Sequence, residues 1–463
     1  MEIDLSDNIQ DQDDNNGVDS SGIDGFSFSQ VFKHDGRNVQ WSPDGLYIAS
    51  ILEKKLIVRE RTELTVVYSH DLEDKLDYFE WSSDSSLILC LYKKYDVVDV
   101  YSLLDPKYMI RIAAHEEGMV GATFAHDSTH VIVFSDFQLR TTVYSLNPKE
   151  GYNPRSMICY TDNDSFLILG SRNGGKDMIN IISTTTWTII NQFQVDSIDM
   201  ESISFCKDDK CICIIDSPLY YNVFIYTLNG TKITQINPYN DAMGCRRFAF
   251  SPSQPLLALG GYDQCIRVYN TISWKDQSIH IHTQESFVDN AAAYIEISKS
   301  DVYQSLQGQK ATPKLENELK AAAGDTFFYV YRGAIDIALK KIQPRIEECK
   351  VGISNLSWSP DGRYVQSTSD NLPKAVWIWD IYRHRLHSII IFKEVVTSVT
   401  WCPVAFLLAI ATASKMVYIW RPTGMCWLRI PEKDFNVKTL KWNDDGNTLL
   451  LCDQNSYIVS YFE

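Results

Sequence analysis

The stretch Trp358-Ser-Pro-Asp-Gly362 decides the fold, because an aromatic residue followed by a short polar turn recurs along the whole chain. Pro at the first central position of such a turn presets φ, Asp or Ser bonds the neighbouring backbone, and Gly accepts a positive φ. Alternating residues precede the aromatic residue, and a short apolar run follows it, as in Leu46-Tyr-Ile-Ala-Ser-Ile51. The unit therefore predicts two short β-strands joined by a tight turn.

Nine copies of this unit follow one another at intervals of 36 to 45 residues, apart from one interval of 108 residues. Such a period is typical of the four-stranded blades of a propeller. We therefore predict an all-β fold, a WD40 β-propeller, in which the aromatic residue of each unit is a structural blade anchor. The nine anchors are Trp41, Trp81, Phe124, Tyr160, Phe205, Phe250, Trp358, Trp401 and Trp442.

The two ends of the chain predict how the ring closes. Trp442 is followed by only two further strand patterns, so the last blade lacks its outermost strand. The alternating segment 26–32 precedes the first anchor without a blade of its own, and its pairing with the last blade would remove an open edge. We predict a single ring of nine blades closed by this N-terminal strand. The alternative is a seven- or eight-bladed ring with extra strands or a second, incomplete ring.

The chain divides into four parts by these criteria. Residues 1–25 are predicted to be a disordered acidic tail, 26–274 the first six blades, 275–350 an insertion and 351–463 the last three blades. The insertion accounts for the single long interval between anchors. It is predicted to contain a short helix and strands.

The helix of the insertion is predicted from its ends. Thr312 is a good N-cap, Pro313 suits the first helical turn and Gly324 suits the C-terminal stop. The runs 327–331 and 334–338 are predicted to be strands. We therefore expect the insertion to be partly ordered.

Charge excludes some classes of partner. The net charge is −16, and residues 1–24 hold eight acidic residues without Lys or Arg, which leaves −8 for the remainder. This balance argues against a binder of nucleic acid phosphates. No apolar run is long enough for a transmembrane helix, and eleven cysteines without a secretion signal indicate reduced thiols in an intracellular, soluble chain. The tail is expected to be a solvated segment rather than a docking motif.

No motif of the sequence indicates catalysis. The stretch Gly170–Lys176 has the spacing of a phosphate-binding loop, but a strand follows where a helix N-terminus is required. His280 and His282 lack further ligands nearby and are expected to be a pair of surface histidines. We predict a protein that is not an enzyme and that has neither a cofactor nor a metal site.

Three tryptophans and one arginine are the candidates for partner binding. Trp187, Trp274 and Trp427 each begin the segment after the third strand of a blade, where packing between blades is expected and a partner hot spot is the alternative. Arg246 lies beside Arg247 on a strand, so only one of the two can face solvent. An ordinary surface charge is expected there, with a partner contact as the alternative.

Several longer strings resemble the WD-repeat protein eight family, which is also called the WD-repeat protein antisense to the tumour protein seventy-three gene. The likeness runs in order from Phe26 to Phe462, with the acidic tail and the interior of the insertion as departures. The strings are Phe28-Ser-Gln-Val-Phe-Lys33, Leu87-Ile-Leu-Cys-Leu-Tyr-Lys-Lys94, Phe137-Gln-Leu-Arg-Thr-Thr-Val-Tyr-Ser-Leu146, Gly261-Tyr-Asp-Gln-Cys-Ile-Arg-Val-Tyr-Asn-Thr-Ile-Ser-Trp-Lys275 and Asp370-Asn-Leu-Pro-Lys-Ala-Val-Trp-Ile-Trp-Asp-Ile381.

This resemblance implies a non-catalytic adaptor of the cytoskeleton at the centrosome or spindle pole, or at a ciliary basal body. Its implied partners are proteins: a coiled-coil microtubule-anchoring protein, a minus-end-directed kinesin and gamma-tubulin-associated factors, with no nucleic acid and no membrane. The implied roles are spindle anchoring, centriolar-satellite function and cilium assembly. The alternative function is a propeller-type translation initiation factor that binds ribosome or mRNA. The resemblance transfers no individual site residue.

Overall fold

The structure is a computed structural model of the 463-residue chain. Among the residues it describes, no helix is long and apolar enough to cross a membrane. The described residues are 26–35, 39–105, 108–113, 118–134, 141–146, 158–161, 164–173, 176–206, 210–239, 243–282, 291–298, 326–332, 352–432 and 435–462.

The described chain forms nine β-sheets, one for each predicted blade. Two short strands, β1 (Phe26–Phe28) and β2 (Phe32–Lys33), precede the first blade. Blade one contains β3 (Gln40–Trp41), β4 (Tyr47–Leu52), β5 (Lys55–Glu60) and β6 (Val66–Asp71). Blade two contains β7 (Tyr78–Trp81), β8 (Leu87–Tyr92), the short 3-10 helix Lys93–Tyr95, β9 (Val97–Ser102) and β10 (Met109–Ala113). Blade three contains β11 (Gly121–Phe124), β12 (His130–Phe134) and β13 (Thr141–Ser145).

The next three blades have four strands each. Blade four contains β14 (Ile158–Tyr160), β15 (Phe166–Asn173), β16 (Lys176–Ser183) and β17 (Ile189–Gln194). Blade five contains β18 (Ser202–Cys206), β19 (Cys211–Ile215), β20 (Val223–Thr227) and β21 (Lys232–Ile236). Blade six contains β22 (Cys245–Phe250), β23 (Leu256–Gly261), β24 (Cys265–Asn270) and β25 (Asp276–Ile281).

The last three blades follow the insertion strands β26 (Ala292–Ser298) and β27 (Thr326–Arg332). Blade seven contains β28 (Ile353–Trp358), β29 (Tyr364–Ser369), β30 (Leu372–Asp380) and β31 (Arg385–Ile391). Blade eight contains β32 (Ser398–Trp401), β33 (Leu408–Ala411), β34 (Met416–Arg421) and β35 (Gly424–Arg429). Blade nine contains β36 (Thr439–Trp442), β37 (Thr448–Cys452) and β38 (Ser456–Phe462).

Burial explains why the second and third strands read as continuous apolar runs. In β19 and β23 every residue is buried, because neighbouring blades cover both faces of each sheet. Fourth strands such as β17 are mostly exposed and form the outer rim. First strands of neighbouring blades contact one another, as β22 and β28 do, and therefore lie innermost.

The ring has two faces with different loops. We call the turn face the one that carries the anchor turns, which join the first and second strands of each blade, and the turns that join the third and fourth strands. The opposite loop face carries the remaining connections. Gly45, Gly362 and Gly446 have φ of +69°, +69° and +71° in their anchor turns, where glycine carries no steric penalty. A Cβ on Gly45 would stand 2.3 Å from Asn443 of blade nine, so neighbouring anchor turns are in close contact.

The N-terminal segment closes the ring as predicted. β1 pairs with β38 in antiparallel register, with Phe26 opposite Phe462, and β2 pairs with the same strand, with Phe32 opposite Tyr457. The last blade therefore receives its outer strand from the start of the chain. The single nine-bladed ring is confirmed, and the alternative of a second, incomplete ring is wrong.

The insertion starts later than residue 275 and extends blade seven. Residues Asp276–Ile281 pair with β24 and complete blade six, so the boundary at 274 cuts through a blade. After them, β26 pairs in parallel with β31 and β27 pairs with β26, which gives blade seven six strands. β27 covers the predicted strand 327–331. The acidic tail 1–25, the predicted helix 312–324 and the predicted strand 334–338 lie outside the described residues.

Candidate interaction surfaces

The nine anchors occupy the seams between blades at the end of each first strand. Trp81, Phe124, Phe205, Trp358 and Trp401 are buried, and Trp41, Tyr160, Phe250 and Trp442 are half-buried. Four indole N–H groups donate across a seam to the residue that precedes the neighbouring anchor. The pairs are Trp41 Nε1 to Lys441 O (3.4 Å), Trp358 Nε1 to Ala249 O (2.8 Å), Trp401 Nε1 to Ser357 O (3.4 Å) and Trp442 Nε1 to Thr400 O (3.3 Å).

The remaining anchors do not make this bond. The indole nitrogen of Trp81 is buried and has no acceptor within the described residues. The anchors of blades three to six are Phe or Tyr, which have no indole N–H. The anchors therefore serve packing in every blade, and a cross-seam hydrogen bond in blades seven, eight, nine and one.

The three candidate tryptophans for partner binding lie in seams as well. Trp187 is half-buried between the apolar clusters of blades three and four, with its ring 4.7 Å from that of His130. Trp274 packs against the cluster shared by blades five and six, and Trp427 against the cluster shared by blades seven and eight. These positions favour packing between blades, which the sequence also favoured, over a partner hot spot.

Arg246 forms an ion pair across the seam between blades six and seven. Its guanidinium bonds the carboxylate of Asp370 and lies over the ring of Tyr262, 5.6 Å from the centroid. Its neighbour Arg247 is exposed and donates to the carbonyl of Ser354 at 3.0 Å. Only one of the two arginines faces solvent, and Arg246 holds blades together.

His280 and His282 are buried, which corrects the expectation of surface histidines. His282 Nε2 lies 2.8 Å from Ser367 Oγ and its Nδ1 lies 2.9 Å from the carbonyl oxygen of Gln264. Burial lowers the pKa of both imidazoles to about 4. The alternation of β25, continued to His282 just after it, places both rings on one side, where they pack on Trp379 of blade seven.

An exposed apolar group lies on the loop face around blade five, and we call it the platform. Its members are Ile198, Leu219, Tyr220 and Met243, which are 55%, 66%, 44% and 42% exposed. Residues 217–220 abut the connection from blade five to blade six, because Gly244 N donates to the carbonyl oxygen of Pro218 at 2.9 Å. The platform thus spans three consecutive loops of one face.

Two buried carboxylates hold the loops of the platform in place. Asp216 Oδ1 accepts the backbone N–H groups of Ile198 and Asp199, both at 3.0 Å, which joins the connection between blades four and five to blade five. Asp177 Oδ2 of blade four accepts hydrogen bonds from Ser197 Oγ at 2.7 Å and from the backbone N–H of Met200 at 2.8 Å. A patch fixed in this way loses little conformational entropy when a partner binds.

The arrangement provides surfaces that suit protein partners. In the described parts of the chain, no group of three or more His, Cys, Asp or Glu side chains could hold a metal ion. Sequence reasoning missed the platform, because isolated exposed apolar residues are ordinary in any sequence. Two aspartates in or next to apolar strands, Asp177 and Asp216, were the one feature of the sequence that could have indicated how the platform loops are held.

Comparisons with known proteins identify the repeats. The family described as "WD domain, G-beta repeat" matches residues 226–270, and the "Anaphase-promoting complex subunit 4 WD40 domain" matches residues 399–461. The mouse protein "WD repeat-containing protein WRAP73" is 29% identical over 446 residues, which cover 95% of this chain and 96% of that protein. The fission yeast "Uncharacterized WD repeat-containing protein C32H8.09" is 21% identical over 399 residues, covering 79% of this chain and 76% of that protein.

A solved structure supports the fold alone. The C-terminal WD40 domain of Sif2 matches with a TM-score of 0.50 at 11% identity, and the match covers 94% of this chain and 98% of that domain. The resemblance to the WD-repeat protein eight family, to which WRAP73 corresponds, is confirmed by the match along nearly the full length of both chains.

Proposed function

From the premise that this chain is a WD-repeat protein related along nearly its whole length to WRAP73, we propose that it is a non-catalytic scaffold of the centrosome or spindle pole. It links a coiled-coil microtubule-anchoring protein, and with it a minus-end-directed kinesin and gamma-tubulin-associated factors, in spindle anchoring or cilium assembly. The observation that carries the proposal is the likeness over 95% of this chain. A closed ring with loops on two faces suits simultaneous protein partners.

The scaffold reaches microtubules through its partner rather than by direct contact. The chain carries a net charge of −16, and the microtubule surface is also acidic. Like charges lower the rate of encounter and disfavour direct binding at low salt. The test is co-sedimentation of the purified chain with microtubules, with and without the coiled-coil partner, at two salt concentrations. Strong sedimentation of the chain alone would contradict the adaptor role.

The partner is identified by affinity purification of the tagged chain followed by mass spectrometry, together with its position in dividing cells. Recovery of a coiled-coil centrosomal protein and a signal at spindle poles are the expected results. Recovery of ribosomal subunits, with the chain sedimenting with ribosomes, would support the initiation-factor function instead.

We place the coiled-coil partner on the platform. The exposed parts of its four side chains form an apolar patch on the order of 400 Å², the size of the largest patch on a typical monomer. A standard interface buries roughly 800 Å² per partner, so a second copy of this large ring is a poor fit. One face of an amphipathic helix, with apolar residues one turn apart, matches the patch in size and chemistry.

A pair of substitutions tests this placement. Leu219→Asp together with Tyr220→Asp should weaken partner binding at least tenfold, because it puts charge into an apolar contact. Ile272→Asp is the matched control, since Ile272 is 70% exposed on the turn face. Equal partner binding by both variants would place the partner elsewhere.

A further inference from the structure

The turn face of blades seven and eight carries an excess of positive charge that the acidic chain as a whole does not predict. The turns 359–363, 380–385, 402–407 and 421–424 together contain four arginines and two aspartates. Asp380 is buried, and Arg363 Nη2 bonds it at 2.9 Å. The arginines are Arg363, Arg383, Arg385 and Arg421, of which the last three are exposed.

The same turns expose large apolar side chains. Tyr382, Val404 and Phe406 are 59%, 64% and 47% exposed. Residues 402–407, the anchor turn of blade eight, contain no charged residue. Blades seven and eight are joined directly beneath, where the ring of Trp420 contacts the rings of Tyr364 and His387 at 5.7 and 5.4 Å. We call these four turns the basic surface.

The N-terminal tail enters the ring on this same face. Its end at Gly25 leads into Phe26, which lies opposite Phe462 at the turn-face end of blade nine. Phe462 N donates to the carbonyl oxygen of Asn447, beside the anchor turn of blade nine, at 2.8 Å. A Cβ on Gly446 of that turn would stand 2.3 Å from Val404 Cγ2 of the basic surface. Phe26, which follows the tail, thus lies on the blade next to the basic surface.

The tail is complementary to the basic surface in composition and length. Residues 1–24 contain eight acidic residues, no Lys or Arg, and the apolar residues Ile3, Leu5, Ile9, Val18 and Ile23. A random coil of 24 residues has a root-mean-square end-to-end distance of roughly 25–30 Å. This reach is sufficient for one or two neighbouring blades of a propeller.

We propose that residues 1–24 of this chain dock on the basic surface of blades seven and eight. The acidic side chains pair with the exposed arginines, and the apolar residues cover Tyr382, Val404 and Phe406. The tail then acts as a tethered cover that an acidic segment of a partner must displace. This inference is independent of the proposed function, since it concerns the chain alone.

Two other occupants are less compatible with the surface. A second copy of the chain, docked through a two-fold axis, would place arginines opposite arginines. An acidic segment of another protein competes with a tethered segment whose effective concentration reaches the millimolar range. The tail is therefore the favoured occupant.

The test is a binding titration with a fluorescein-labelled peptide of residues 1–24, followed by fluorescence anisotropy. The peptide should bind the chain that lacks residues 1–24 at low salt and should bind the full chain at least tenfold more weakly, because the surface is already covered. Arg383→Glu with Arg385→Glu, made in the chain that lacks residues 1–24, should weaken the peptide at least tenfold. A peptide with all eight acidic residues replaced by amides should not bind.

The matched control exchanges two exposed arginines away from the basic surface, Arg247→Glu with Arg429→Glu, in the same shortened chain. Both double variants are first shown to keep the melting temperature of their parent. Equal affinity of the peptide for both double variants, or for the full and shortened chains, would overturn the proposal. Loss of self-association in the Arg383→Glu, Arg385→Glu chain, with peptide binding unchanged, would assign the surface to a second copy.

Amide hydrogen exchange in the full chain provides a readout without a peptide. Residues 380–386 and 402–408 should exchange more slowly in the full chain than in the chain that lacks residues 1–24. The difference should vanish in 0.5 M salt, because exposed charge pairs are screened. Identical exchange of these segments in both chains at low salt would overturn the proposal.

Discussion

The ring has two halves that hold their blades together on opposite faces. In blades seven, eight, nine and one, tryptophan anchors donate an indole N–H to the preceding blade on the turn face. In blades three to six the anchors are Phe or Tyr, and between blades four and five the buried carboxylates Asp177 and Asp216 bond the connection on the loop face. We refer to these as the tryptophan half and the carboxylate half.

The difference shows that one repeat can fix its neighbour in two physical ways. An indole contributes a large apolar area and a single directional bond, so packing and register come from the same residue. A Phe anchor contributes area alone, and the register must then come from separate polar groups. A buried carboxylate that accepts several backbone N–H groups supplies it, at the cost of desolvating a charge.

Removal of the closing strand should produce the largest effect. Deleting residues 1–33 removes β1 and β2, exposes β38 as an edge strand and should cause aggregation with loss of a cooperative melting transition. Deleting residues 1–24 removes no described strand and should leave the melting temperature within a few degrees. Equal melting temperatures for the two truncations, measured by calorimetry, would mean that the closing strand does not support the tryptophan half.

The carboxylate half should respond strongly to the loss of one charge. Asp216→Asn removes the charge and replaces one carboxylate oxygen, which accepts hydrogen bonds, by an amide nitrogen, which donates them. It should lower the free energy of unfolding by about 3 kcal/mol. Urea titration measures it. Asp445→Asn is the control, since Asp445 is a partly exposed carboxylate in an anchor turn of the tryptophan half. Similar losses from both substitutions would remove the distinction between the halves.

The seam where the two halves meet should respond to acid. His282 is neutral in the folded chain, with a pKa lowered by burial to about 4, whereas the unfolded imidazole titrates near 6.5. Because the unfolded state binds the proton first, stability is complete above pH 6.5 and falls as the pH drops towards 4. The loss expected from His282 between pH 7 and pH 5 is about 2 kcal/mol, and His280 should add a similar amount.

Thermal melting across this pH range measures the effect. His282→Gln should remove about half of this loss, because the pKa of the buried His280 is lowered in the same way. His126→Gln, at an exposed position, is the control. A profile that stays as steep in the His282→Gln chain would assign the acid sensitivity to other groups.

The smallest effect should isolate the indole bond itself. Trp358→Phe keeps most of the apolar area, loses the bond to Ala249 and should cost about 1–2 kcal/mol. Trp81→Phe should cost less than this, because the indole nitrogen of Trp81 has no acceptor among the described residues. Equal losses in a urea titration would show that the area alone matters at both seams.

The fold could be read from the sequence because its information is local. Each anchor turn needs only about five residues, and the closing strand follows from counting the strands of the last blade. The six-stranded sheet of blade seven could not be predicted, because the parallel pairing of Ala292 with Ser388 joins segments almost a hundred residues apart. Glu296 supports this pairing by accepting a hydrogen bond from the N–H of Lys393, just after β31, at 2.9 Å, and it accepts another from Tyr418 Oη of blade eight at 2.7 Å. No local pattern reveals these contacts.

The interaction surfaces were less predictable than the fold. Trp187, Trp274, Trp427 and Arg246 were conspicuous by residue type, yet all four lie in seams. In β25 the ordinary preference is reversed, since Ile279 and Ile281 are exposed and the histidines between and after them are buried. Such a reversal depends on polar groups of the neighbouring blade, so it cannot be predicted from the sequence of one strand.

The antiparallel pairing of β1 with β38 also determines how the ring responds to mechanical load. Phe26 and Phe462 are paired with each other. Tension applied between the N-terminal and C-terminal ends of the chain therefore separates β1 from β38 starting at this pair, one hydrogen bond after another. Strands loaded in this direction open like a zipper and resist far less force than strands that are sheared along their length. Tension transmitted between two partners on the blade faces bypasses this weak pair. The ring is therefore mechanically suited to partners bound on its faces and poorly suited to tethers fused to both ends of the chain.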